Sequence, residues 1–93
     1  MPLFTIYAID RADALEARLA ARPAHLEHVR ANPGVKLGGP FLNESGDPVG
    51  SMILLEAEDM AAVQAFCDAD PYVKAGVFER VEVRPFRVTV GAL

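Results

Sequence analysis

His25 offers the most chemistry in this chain. An imidazole titrates near neutrality and can take up or release a proton. Arg22 and His28 stand three residues to either side of it, a spacing that puts side chains on neighbouring positions of one helix face. Pro23 suits the first position of a helical segment. His25 then falls in a first turn, where the positive end of the helix dipole disfavours the imidazolium form and favours a neutral base. A histidine without a surrounding motif also has a plain reading, as a surface or half-buried ring with no role.

Asp70 is the second candidate. It directly precedes Pro71, and an aspartate before a proline at a helix start is an N-cap. A cap needs no catalytic role. The functional reading gives one carboxylate oxygen to the cap and the other to an imidazole, whose tautomer it would fix. Asp68 competes for the same task. Tyr7 and Tyr72 could supply hydroxyl donors to a cavity, although such rings often serve packing alone. Ser51, beside Gly50, could donate to a ligand. It has no G-x-S-x-G elbow to make it a nucleophile.

Other chemistries find little footing. Gly38-Gly39-Pro40 lacks the Lys-Ser/Thr that a phosphate loop requires. His25 and His28 come without an HExxH motif, paired cysteines or a dense carboxylate cluster, so no metal site is expected. Cys67 is the only cysteine and reads as a small buried hydrophobe. Nine Lys and Arg against thirteen Asp and Glu give a net charge of -4, with the basic residues scattered. That balance argues against nucleic acid as a partner. No signal peptide and no bilayer-spanning run is read, and the expected setting is the cytoplasm.

The elements that must position these groups form one domain over residues 1–93. Leu3 to Ile9 is an apolar, β-branched strand. The period of Leu15, Leu19, Leu26 and Val29 predicts helix, capped by Asp10 or Asp13 and split by Pro23 into segments at about 12–21 and 23–31. Asn32-Pro33-Gly34 ends it. Val35–Leu42 is a weaker strand, Asn43–Pro48 a turn, and Val49–Ala57 a strand. Asp59–Ala69 is a helix with Ala62, Val63, Phe66 and Cys67 on its apolar face. Asp70-Pro71 opens a short turn closed by Gly76, and Val77–Val90 is a last strand kinked at Pro85. The order is β-α-β-β-α-β, a ferredoxin-like α+β fold with an antiparallel sheet and both helices on one face. Hydrophobic residues make up 52% of so short a chain, which suits burial of the sheet's other face in a homodimer.

Several segments carry a family resemblance. They are L-F-T-I-Y-A-I-D at Leu3–Asp10, R-P-A-H-L at Arg22–Leu26, D-A-D-P-Y-V-K-A-G-V-F at Asp68–Phe78 and V-R-P-F at Val83–Phe86, with Gly39-Pro40 and Gly50-Ser51. Together they resemble the YCII-related (YciI-like) family essentially end to end. The resemblance implies a ferredoxin-like dimer of the dimeric α/β-barrel type. It also implies an active site of one histidine and one aspartate, which fall on His25 and Asp70. A related branch contains chloromuconolactone dehalogenases, which abstract a proton and eliminate. The resulting expectation is a lyase, isomerase or dehalogenase-like enzyme acting on a small organic acid or lactone. His25 would be the base and Asp70 its partner, with Arg22, Tyr7, Ser51 and Tyr72 around the ligand and no cofactor required. The alternative is a non-catalytic small-ligand-binding or accessory dimeric module.

Overall fold

Along Leu3–Asp10 (β1), Phe4, Ile6 and Ala8 are buried while Thr5 and Tyr7 are not, the period-two pattern of a strand with one covered face. In the computed structural model, which describes residues 1–93, β1 is central. It pairs antiparallel with Pro48–Glu56 (β3) on one side and with Phe78–Phe86 (β4) on the other. Val35–Leu42 (β2) joins the outer edge of β3, giving the order β2-β3-β1-β4. Register carries the alternation across the sheet. Ile6 pairs with Ile53 and Val83, and Ala8 with Ser51 and Val81, all on the helix-covered face.

Three helices cover that face. Leu15–Ala31 (α1) follows β1, Met60–Ala69 (α2) follows β3, and the short Pro71–Lys74 (α3) leads into β4. Asp59 caps α2 by accepting the Ala62 amide, and Gly76, with φ of 69°, ends the turn after α3 as a glycine can. Two apolar clusters result. The larger joins Phe4, Ile6, Ile53 and Leu55 to Val63 and Phe66 of α2. The smaller joins Ala14, Tyr72 and Val77 beneath α1. Fully buried side chains such as Leu55 and Val63 each contribute ~1.5–3 kcal/mol.

The first helix departs from its sequence expectation in three ways. It is continuous through Pro23 and is not two segments. Pro23 faces solvent, so water can reach the Leu19 carbonyl that lost its donor, and buried side chains on the turns before and after hold the helix to the body. His25 therefore lies mid-helix, and the dipole argument for its neutral form does not apply. The expected caps are also absent. The N-cap position is Ala14 and makes no side-chain bond. Asp13 takes φ of 61°, and Asp10 is occupied elsewhere. Finally, Leu15 and Leu19 are 39% and 54% exposed, and the helix buries Arg18 and His25 instead.

The last strand stops at Phe86, short of Val90. Phe86 already pairs with Leu3, the first residue of β1, so nothing remains for the chain beyond it to pair with.

The open helix at Pro23 gives a test. Pro23→Ala should stabilise the protein by ~2 kcal/mol, from a helix-interior preference of about 3 kcal/mol reduced by the greater freedom of the unfolded chain. Urea denaturation with unchanged m-value would register it.

Candidate active site

The cavity lies between α1 and the β2–β3 side of the sheet. Its volume is about 400 Å³, enough for a ligand of one or two rings. Helix α1 supplies one wall through Arg18, Arg22, His25 and Leu26, and Gly38, Gly39 and Pro40 of β2 supply the opposite one. Ser51, Ile53 and Tyr72 form the floor between them. The glycines leave this outer wall almost bare of side chains. A Cβ on Gly38 would come within 3.2 Å of Ile53 Cγ1, so a larger residue there would crowd the sheet.

His25 and Asp70 meet at this wall. Nδ1 of His25 lies 2.8 Å from Oδ1 of Asp70, and both side chains are buried. In the neutral ring Nδ1–H donates to the carboxylate, which leaves the Nε2 lone pair available as a base. The same Oδ1 accepts the Tyr72 amide at 2.9 Å and thereby caps α3. One oxygen thus does both jobs, where the sequence had divided them between two. Asp68, the rival, is exposed and holds Gln64.

Tyr72 stacks on the imidazole, with ring centroids 3.8 Å apart and planes 14° apart. Burial pushes its phenol above the ordinary tyrosine value, and the nearby Arg18 and Arg22 pull the other way. Arg18 Cζ stands 4.6 Å from the same ring, within cation–π range. The Arg18 guanidinium is clamped by Asp10, with Nε to Oδ2 at 2.7 Å and Nη2 to Oδ1 at 3.0 Å, and Nη2 also donates to Ser51 Oγ at 2.7 Å. Arg18, His25, Ser51 and Asp70 are the four buried polar or charged residues of the chain. All of them fall in this one neighbourhood, and each has a partner, as buried polar groups require.

Of the expected site residues, His25, Asp70, Ser51 and Tyr72 are therefore brought together, and Arg22 lines the cavity from an exposed position without an ion-pair partner. Tyr7 is not among them. It has odd parity on β1, so strand alternation turns it to the opposite face of the sheet, where it packs on Phe41 at 4.8 Å. His28 does not join His25 either. Its Nε2 bonds the Phe66 carbonyl at 2.9 Å and its ring stacks on Phe66, tying α1 to the end of α2. Cys67 is buried, and burial, reinforced by Asp70 and Asp68, pushes its thiol up to about 11, far from a reactive thiolate.

Arg18 and Asp10 were missed in the sequence, although a signal existed. Asp10 shares the inward parity of Phe4, Ile6 and Ala8, and Arg18 lies seven residues before His25 on the same helix face. An inward acid at the end of one element and an inward base on the next call for each other.

The fold is shared with known proteins. The chain matches the YCII-related domain over residues 2–87, and it belongs to that family. It is similar to Protein YciI of Escherichia coli O6:H1, with 47% identity covering 91% of this chain and 96% of the relative. It is also similar to an uncharacterised protein of Haemophilus influenzae, with 32% identity over 90% and 95% of the two chains. Among solved structures it resembles 5-chloro-2-hydroxyhydroquinone dehydrochlorinase (TftG) from Burkholderia phenoliruptrix AC1100, in complex with 2,5-dihydroxybenzoquinone. The TM-score is 0.85 and the identity 33%, covering 91% of this chain and 93% of that one. An antibiotic biosynthesis monooxygenase shares the fold, with a TM-score of 0.60 and 16% identity over 97% and 100% of the chains.

The Arg18–Asp10 pair sets the cost of disturbing the cavity floor, since their side chains are only 4% and 6% exposed. Arg18→Met should destabilise by ~3–5 kcal/mol by leaving a buried carboxylate unpaired. Adding Asp10→Asn should restore part of that loss, as measured by urea unfolding of the single and double variants.

Proposed function

We propose that this protein is a small-molecule enzyme that abstracts a proton from a small cyclic acid, lactone or hydroxylated ring and, where a leaving group is present, completes an elimination. The observation that carries the reading is the 2.8 Å contact between His25 Nδ1 and Asp70 Oδ1 at the cavity wall. Asp70 holds the ring in the tautomer whose Nε2 can accept a proton, and it stabilises the imidazolium formed when that happens. In a dehydrochlorination the C–H bond breaks toward Nε2. Its electron pair becomes a new π bond, and chloride leaves with the C–Cl pair. The similarity to a dehydrochlorinase crystallised with a dihydroxybenzoquinone supports this class. Arg22, Ser51 and Tyr72 hold the ligand.

Chloride release from small lactones that carry a C–H bond beside the C–Cl bond, with unchlorinated lactones alongside for isomerisation, tests the reading. His25→Ala should lower kcat by ~10²–10⁴-fold, the usual worth of a general base, in a protein whose thermal midpoint falls with the loss of the Asp70 contact but which is still folded at the assay temperature. Asp70→Asn should lower kcat while leaving KM nearly unaltered. A His25→Ala protein that turns over at the wild-type rate would remove the proposed base.

The uncovered face of the sheet exposes Tyr7, Leu37 and Phe86 by 41%, 46% and 47%. We infer that a second copy of the chain covers it, since apolar side chains gathered on one face mark an interface. Light scattering should give the mass of two chains, and Phe86→Glu should shift it toward one.

A further inference from the structure

Ser51 is 7% exposed, and its oxygen already accepts a hydrogen bond from Arg18. Its own hydrogen has no protein acceptor, while the side chain lines the cavity. A buried hydroxyl donor with nothing to bond is costly unless a ligand completes it. Arg18 cannot swing away, because Asp10 grips its guanidinium through two nitrogens at 2.7 and 3.0 Å. A cation fixed on the lone pair polarises the Ser51 O–H and makes it a stronger donor.

This donor is bonded to Arg18, which lies seven residues before His25 on α1. Residues seven apart on a helix are two turns apart, ~10.5 Å along the axis. The ring of Tyr72, 3.8 Å from the imidazole and 4.6 Å from Arg18 Cζ, fills that interval. A molecule touching both ends is therefore about as long as one substituted six-membered ring. The wall across from α1 is Gly38, Gly39 and Pro40, whose small side chains leave room for a flat molecule. At the cavity's rim Arg22 carries a positive charge without a protein partner.

We propose that Ser51, backed by Arg18 and Asp10, is the oxyanion pole of the site, and that the substrate is a flat cyclic dienone whose carbonyl oxygen lies across the ring from the saturated carbon that loses its proton. This rests on the reading of His25 as the base. The proton passes from carbon to Nε2. The C–H electron pair moves through the conjugated bonds to the remote oxygen, and the growing charge there is met by the Ser51 hydroxyl. Ser51 touches the substrate, whereas Arg18 and Asp10 act through it as positioning residues.

4-Nitrophenolate tests the pole without requiring turnover, since it is a flat ring that already carries the oxyanion. Nitrobenzene is the matched probe without one. The wild-type protein should prefer the phenolate, by calorimetry and by the colour of the bound dye. Ser51→Ala should lose ~10–100-fold in phenolate affinity, the worth of a hydrogen bond to a charged group, with nitrobenzene binding unchanged. Ser51→Thr should retain most of the affinity, and Arg18→Lys should fall between the two. A Ser51→Ala protein that binds the phenolate as tightly as wild type overturns the pole, as does a wild-type protein indifferent between the two probes. The base stands or falls separately. Full turnover by His25→Ala beside a phenolate-blind Ser51→Ala would remove the base and keep the pole, and the opposite pair would do the reverse.

Discussion

One carboxylate oxygen, Oδ1 of Asp70, holds this molecule's functional end together. It accepts the Tyr72 amide at 2.9 Å and the His25 ring at 2.8 Å. The first bond starts the four-residue helix α3, which is too short to persist without tertiary support. The second fixes the middle of the long helix α1 against it. Once these are set, the Tyr72 ring has one place to go, between Arg18 and His25 and over Val77. The proline at the first position of α3 adds its fixed φ to the same end.

The rest of the design follows from where α1 is pinned. A helix of this length would ordinarily bury leucines, yet this one buries an arginine and a histidine and leaves Leu15 and Leu19 largely outside. Toward α2 its body-facing side is Val29 and His28, and toward α3 it is alanine, with Ala14, Ala17 and Ala21 in the smaller cluster. Small residues let the helix approach closely there, while the larger polar groups reach past them to Asp10, Ser51 and Asp70. Apolar stability is supplied elsewhere, by the sheet and α2. The two tasks of a small domain are thus separated, one end closing a core and the other holding polar chemistry in a cleft.

This separation also explains what the sequence disclosed. The strands were legible because side chains alternate along β1 and, although Leu54 is buried as well, the helix-covered face of β3 keeps the same period. Phe4, Ile6 and Ala8 alternate with Thr5 and Tyr7, and Ser51, Ile53 and Leu55 repeat the pattern. Helix α2 was legible because Val63, Phe66 and Cys67 make a plain apolar face behind an Asp59 cap. Helix α1 misled for the opposite reason. Its conspicuous leucines border a cavity or solvent, so the apolar stripe pointed to the wrong face, and Pro23 looked like a break because the anchors at Arg18 and His25 are long-range. His25 and Asp70 could be named through a resemblance, but their meeting spans 45 residues of chain and local pattern cannot show it. Tyr7 was misplaced because residue type was weighed above strand parity. The Arg18–Asp10 pair was overlooked because charged residues are usually read as surface.

The bareness of β2 reaches beyond the cleft. β2 is an outermost strand, and its Gly38-Gly39-Pro40 run borders the ligand space on one side and open water on the other. Exposed sheet borders recruit foreign strands unless something spoils them, and glycine and proline spoil them well. The run that makes room for a flat molecule is therefore also a guard against polymerisation. Evolution toward a tighter grip by adding β-formers at these positions would mend the border and raise the hazard of fibrous assembly, so ligand affinity and colloidal safety draw on the same three residues.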